Sequence, residues 1–135
     1  MRVGFVAGAF DLLHAGHVHL LRQCALNCDF LIIGLHVDPS IERKSKNKPV
    51  ESVFEREIRL EGCEYVDKVI VYETENDLSL MLRYIRPDVR FLGNEYIENH
   101  KDRPITDRDS IPLVYVDSLP IHSSDLRKRV KEATK

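Results

Sequence analysis

The 135-residue sequence has no tryptophan, only three cysteines, and no excess of one charge, with 20 Lys+Arg against 22 Asp+Glu. No apolar run approaches the ~20 residues of a membrane-spanning helix. A net charge of −2 argues against a polyanion binder held by bulk charge. No aromatic stacking platform interleaves the basic runs, which argues against a nucleic-acid module. Cys24, Cys28 and Cys63 lie in apolar surroundings. They are expected as reduced, buried small hydrophobes rather than as a disulfide framework or a metal pair. The amino terminus, Met1-Arg2-Val3-Gly4-Phe5-Val6, reads directly into a strand without signal-peptide organisation, so a cytosolic location is expected.

What is present fits one compact domain spanning 1–135. Val3 to Ala7 is a short β-prone run ending in Gly8-Ala9, a strand-to-loop signal. Val18, Leu20, Leu21, Cys24 and Ala25 recur at helical spacing, predicting a helix from near Gly16 to near Asn27. Phe30 to Val37 reads as a buried parallel strand. A basic loop follows, Arg43-Lys44-Ser45-Lys46-Asn47-Lys48. Ser52 with Glu55 predicts a capping box and a helix to about Cys63. Val66 to Tyr72 and Val89 to Leu92 read as strands around a helix capped by Asn76 and closed by Pro87. Residues 94 to 111 read as a long polar loop. Leu113 to Val116 is the last strand, and Ser123 or Ser124 is expected to cap a final helix to near Ala133.

The resulting order, β-α-β-α-β-α-β-β-α, predicts a doubly wound, Rossmann-like α/β fold with a parallel sheet and helices on both faces. Ligands of such sheets bind beyond the carboxyl ends of the strands. The first of these loops holds Gly8, Asp11, His14, Gly16 and His17. Gly8 permits a sharp turn. Gly16 permits close approach of a phosphate at a helix entry, where free N–H groups and the dipole attract anions. His14 and His17 can converge on one phosphate and stabilise developing charge. A metal set of His14, His17 and His19 is the weaker alternative, because no carboxylate or cysteine at ligand spacing completes it.

His14-Ala15-Gly16-His17 matches the His-x-Gly-His signature of the cytidylyltransferase-like nucleotidyltransferases. The longer string Gly8-Ala9-Phe10-Asp11-Leu12-Leu13-His14-Ala15-Gly16-His17 resembles the start of the glycerol-3-phosphate cytidylyltransferases. The resemblance extends over nearly the whole chain. Lys44 and Lys46 fall where that family places phosphate-binding lysines. Glu55-Arg56 followed by Glu64-Tyr65-Val66-Asp67 resembles its arginine and Tyr-Val-Asp segment. Gly93-Asn94-Glu95-Tyr96 resembles its base-side Gly-Asp-Asp-Trp loop, and Ile121-His122-Ser123-Ser124 its Ile-Ser-Thr-Thr motif.

The resemblance implies transfer of CMP from CTP to a small phosphorylated alcohol or sugar, with release of pyrophosphate. It implies that His14 and His17 act at the α-phosphate and leaving group, with Lys44, the favoured lysine, and Lys46 as point charges. Gly8, Ala9, Phe10, Asp11, Gly16, Gly93, Asn94, Glu95, Ser123 and Ser124 would bind the nucleotide. Asp11 would either orient a phosphate-bound cation or fix its loop. Asp38 is placed at the acceptor, and Arg56 either reaches the acceptor or pairs along its helix. Mg²⁺ is expected with the triphosphate, and relatives suggest a homodimer. The sequence departs from the pattern at Glu64 and Asp117, where arginines are usual, and at Asn94. The alternatives are an adenylyltransferase using ATP, since the same His-x-Gly-His scaffold serves ATP users, and a degenerate nucleotide-binding protein, which Glu64 and Asp117 support.

Overall fold

The computed structural model describes residues 1–93 and 111–134. Its elements follow the predicted order: β1 (Val3–Gly8), α1 (Ala15–Leu26), β2 (Phe30–His36), α2 (Val53–Glu61), β3 (Lys68–Tyr72), α3 (Glu75–Ile85), β4 (Val89–Gly93), β5 (Leu113–Val116) and α4 (Ser123–Ala133). The strands form one sheet in the order β3-β2-β1-β4-β5, and every pairing is parallel. No described helix is long and apolar enough to cross a membrane.

Alternation along the strands divides the core between two faces. Val6, Leu31 and Ile33 join Leu21 and Cys24 of α1 and Leu60 of α2. Phe5, Ile32 and Tyr72 face Leu78 and Leu82 of α3. Successive strands step outward from β1 through β2 to β3, and the chain then crosses back to β4. The order therefore reverses between β1 and β4, which opens a crevice beyond their carboxyl ends. Gly8 and Gly93 end those two strands.

Helix entries follow local chemistry. The Ser52 hydroxyl accepts from Glu55 N–H at 3.2 Å and the Glu55 carboxylate accepts from Ser52 N–H at 3.0 Å, the predicted reciprocal cap. α3 is capped by Thr74 and not by the expected Asn76. Thr74 has Asp77 three residues on, so both donors are satisfied, at 3.0 and 3.2 Å. α3 stops where Arg86 turns left-handed, with φ of 49°, ahead of Pro87. His122, not Ser123 or Ser124, occupies the cap position of α4, and Asp125 accepts its N–H at 2.9 Å.

Of the cysteines, Cys24 is fully buried and burial pushes its thiol up to about 12, the behaviour of a core hydrophobe. Cys28 lies beyond the end of α1, and among the described residues no cluster of three His, Cys, Asp or Glu suits a metal ion.

Gly34 in β2 lies where side chains of the neighbouring strands crowd the α3 side of the sheet. A Cβ there would lie 2.5 Å from Phe5 Cζ and 3.3 Å from Tyr72 Cε1. Gly34→Ala is expected to lose about 1–3 kcal/mol through overpacking, read as a lower urea midpoint with an unchanged slope.

Candidate active site

The loop after β1 is held in a strained form by polar contacts. Phe10 and Leu12 have φ of 49° and 51°, values that cost non-glycine residues of order 1–3 kcal/mol each. Asp11 between them is buried, and its carboxylate accepts from Val50 N–H at 2.8 Å and Glu51 N–H at 2.9 Å. Glu51 returns the contact, accepting from Leu12 N–H at 2.7 Å, and its other oxygen pairs with Arg59 at 3.0 Å. Arg127 of α4 completes the set on Asp11 at 2.8 Å. Burial would raise the Asp11 carboxyl, but these hydrogen bonds and the Arg127 charge outweigh it and hold the group below its ordinary value. Of its two expected roles, Asp11 fixes the loop; its carboxylate is committed to protein donors.

Arg56 departs from the expected acceptor contact. It is 2% exposed and donates to the carbonyls of Ala9 at 3.1 Å, His36 at 2.7 Å, Val37 at 2.6 Å and Glu51 at 3.1 Å. The carbonyls lie just past β1, at the end of β2 and just before α2, and a buried guanidinium joins all three places. It is a structural clamp beneath the site.

His14 and His17 meet as the sequence implied. Their rings stack with centroids 3.9 Å apart. His14 Nδ1 accepts from Gly16 N–H at 3.0 Å, and His17 Nδ1 accepts from His14 N–H at 3.2 Å. A backbone N–H can only donate, so each neutral ring carries its proton on Nε2. His14 Nε2 is shielded from solvent with no hydrogen-bond partner among the described residues. Burial depresses His17 to about 4, aided by His14 and opposed by Asp11. Burial also lowers His14, aided by His122 and Arg129 and opposed by Asp125. Both imidazoles are therefore neutral donors near pH 7.

Gly16 also has a packing role at the wall of the site. Its N–H is taken by His14, and a Cβ there would lie 2.8 Å from His14 Cε1 and 3.0 Å from the Ile121 carbonyl. The segment leading into α4 thus closes on α1. Ser123 turns its hydroxyl onto the Asp11 carbonyl at 2.8 Å.

Two cavities open at this end of the sheet. One, of about 220 Å³, is lined by the ends of β1 and β4, including Gly8 and Gly93, together with His36, Arg43, Tyr72, Glu75 and Arg90. The other, of about 310 Å³, is lined by Asp11, His14, Gly16, Ser123, Ser124 and Arg127. They share Ala9, Phe10, His17 and Lys46 among their walls. Lys46 is half-buried at that junction. Lys44, the lysine favoured from the sequence, is exposed and lines neither cavity. The loop turns at Lys46, whose N–H bonds to the Arg43 carbonyl at 3.0 Å, and strand proximity did not reveal which side chain turns inward.

Asp38 accepts from Ser40 N–H at 3.0 Å and lines neither cavity. His36 packs on Tyr72 and bonds the Glu73 carbonyl at 3.1 Å while lining the smaller cavity. Glu64 is exposed beside Arg59 and Tyr65 in a shallow groove. Neither Glu64 nor Asp117 lines either of the two cavities. Asn94 and Glu95 lie outside the described residues. Sequence reasoning missed Arg43, Tyr72 and Glu75 as lining groups. The one available signal was Arg90, a charged residue inside an apolar strand.

The profile of the cytidylyltransferase-like family matches residues 5–129. The chain belongs to the cytidylyltransferase-like family. The bifunctional protein HldE of Acidiphilium cryptum (strain JF-5) is 45% identical over 96 residues, covering 70% of this chain and 20% of that protein. HldE of Rhodopseudomonas palustris (strain HaA2) is 35% identical over 99% of this chain and 28% of its own length. The chain thus spans between a fifth and under a third of these relatives. In fold, it is similar to a lipopolysaccharide core biosynthesis protein from Thermoplasma volcanium GSS1. The TM-score is 0.69 at 22% identity, covering 90% of this chain and 99% of that one. Pantothenate synthetase from Thermus thermophilus shares the fold at a TM-score of 0.60 and 13% identity, over 95% of this chain and 64% of that one.

Two outcomes test this geometry. Arg56→Met removes a donor from four carbonyls, two of them in buried bonds, and is expected to cost on the order of 3 kcal/mol or more, measured by urea unfolding. The depressed His17 carries a pH consequence. The unfolded chain takes up the proton from pH 6.5 downward and the folded chain only near 4, so this group's contribution to stability falls as pH drops through that window. Proton NMR of the His17 ring should show neutral shifts at pH 6 and a midpoint near 4; a midpoint near 6.5 would refute the buried neutral ring.

Proposed function

We propose that this chain transfers a nucleotidyl group from a nucleoside triphosphate to the phosphate of a small acceptor, an alcohol or sugar phosphate, and releases pyrophosphate. The observation that supports this reading is the meeting of two cavities at His17 and Lys46. The triphosphate is assigned to the larger cavity, where the amino ends of α1 and α4 converge with Arg127 and favour anions. The acceptor is assigned to the smaller one, which moves Gly8 and Gly93 from the nucleotide, where the resemblance put them, to the acceptor wall.

An acceptor phosphate oxygen attacks the α-phosphorus in line, a new P–O bond forms, and the bond to the β-phosphate oxygen breaks. The protein's part is positioning and electrostatic stabilisation. His14 and His17 are assigned to the α-phosphate and the leaving group: His17 lines both cavities and offers its Nε2–H there, while His14, whose Nε2 is shielded from solvent, stacks on His17 and holds it in place. Lys46 at the junction neutralises charge between the two substrates, and Ser123 and Ser124 hold the β- and γ-phosphates. Mg²⁺ is part of the substrate in this scheme, carried on phosphate oxygens and water, because the Asp11 carboxylate is engaged by Val50, Glu51 and Arg127.

CTP is the donor that the resemblance implies. ATP is the second reading, because the same His-x-Gly-His scaffold serves ATP users and the base-side segment departs from the cytidylyltransferase pattern at Asn94. A homodimer is the proposed assembly, which sedimentation of the chain would read directly.

Pyrophosphate release with CTP or ATP, Mg²⁺ and a panel of phosphorylated alcohols and sugars tests the scheme. His17→Ala is expected to lower kcat by about 100-fold or more. Lys46→Ala should lower kcat/KM by about 10- to 100-fold, and Lys44→Ala by no more than about twofold. Nucleotide binding without turnover of any pair would replace the enzyme by a degenerate nucleotide-binding protein.

A further inference from the structure

The smaller cavity contains a charged pair that the transfer chemistry leaves unused. Glu75 is the first residue of α3, and Arg43 stands on the loop after β2; both line the cavity. Their nearest charged atoms, Arg43 Nη2 and Glu75 Oε1, are 3.9 Å apart, too far for a direct hydrogen bond. Among the described residues the Glu75 carboxylate receives no hydrogen bond, and Arg43 Nε is shielded from solvent with no partner. Yet the surrounding backbone is fixed. Glu42 accepts the Glu75 N–H at 2.9 Å, and Arg43 N–H bonds the Pro39 carbonyl at 3.0 Å.

The simplest structural role for Glu75 is an acidic group at a helix amino end. That role is already filled in α3. Thr74 and Asp77 cap the helix reciprocally, at 3.0 and 3.2 Å, and neither bond involves the Glu75 side chain. A carboxylate with free lone pairs and a guanidinium whose Nη2 faces it across 3.9 Å on one cavity wall suit a group that both donates and accepts. A hydroxyl is that group. It can donate to Glu75 and accept from Arg43 in one position. Tyr72, stacked on His36, and Leu78 supply an apolar wall beside the pair, as expected for a site with few, placed polar groups.

We infer that Glu75 and Arg43 together read one hydroxyl of the acceptor and so set which phosphorylated acceptor the site takes. The inference rests on the assignment of this cavity to the acceptor. They act as specificity residues, apart from the His17 and Lys46 junction where the phosphates meet. A site built to pair a hydroxyl rejects an analogue without it, because the buried polar groups are then left unmatched.

The test compares wild type, Glu75→Gln, Arg43→Met and the double variant on aldose 1-phosphates, their monodeoxy analogues and glycerol 3-phosphate. Pyrophosphate release is measured with the donor that works. Circular dichroism checks that each variant is folded, which is expected because the Thr74–Asp77 cap remains. Glu75→Gln should lower kcat/KM for the preferred acceptor by about 10- to 100-fold, mainly through KM, with KM for the nucleotide unchanged. The loss should shrink to about threefold or less on one monodeoxy analogue, which identifies the hydroxyl. The double variant should lose little more than either single one, since both halves serve one group. An equal loss on every acceptor, or none, overturns the inference while leaving the transferase intact. A wild type that turns over no acceptor sinks the transferase reading instead. Calorimetry with the same aldose 1-phosphates then decides on Glu75: weaker binding by the Gln variant supports it, and equal or absent binding overturns it.

Discussion

At the carboxyl end of the parallel sheet, a single guanidinium gathers four backbone carbonyls. Arg56 reaches from α2 to the Ala9, His36, Val37 and Glu51 carbonyls. These are the points where β1 and β2 give way to the loops of the site, and where α2 begins. A fixed fork of donors suits this task in a way a flexible ammonium would not. The reciprocal bonds of Asp11 and Glu51 to each other's loops rest on the same platform.

That platform lets the first loop keep two left-handed non-glycine residues, Phe10 and Leu12. Their strain is held by contacts on either side, and the result places His14 and His17 with both Nδ1 atoms occupied by backbone. Neutral imidazoles with a fixed tautomer follow from this geometry without any acidic partner. Stacked rings 3.9 Å apart would repel strongly as two cations, so burial and proximity act in the same direction on protonation.

Much of this was legible in the sequence. Alternating apolar runs and helical periodicities give the order of the described elements, because burial on one face or two leaves a direct trace in residue spacing. The histidine pair was equally legible, since two histidines flanking a glycine after a strand occupy a defined place in such folds. Other features depended on distances between segments far apart in the chain. Arg56 looks like an exposed helical arginine until β1 and β2 end against it. Lys46, not Lys44, enters the site because of how one loop turns, and loop turning leaves no periodic signal. Glu75 and Arg43 are 32 positions apart and meet only through the pairing of β2 with β3. Asn76 lost the cap of α3 to Thr74 because only Thr74 has an acid at the reciprocal spacing.

α4 has no buried residue. Its described bonds to the rest of the fold run through Ser123 and Arg127 to Asp11 and Lys48. An element attached by polar contacts rather than by a packed face sits at the weak end of the local stability scale. Amide protons of α4 would therefore exchange with solvent well before those of the sheet. The wall that closes the larger cavity is then held less firmly than the core on which the histidines stand.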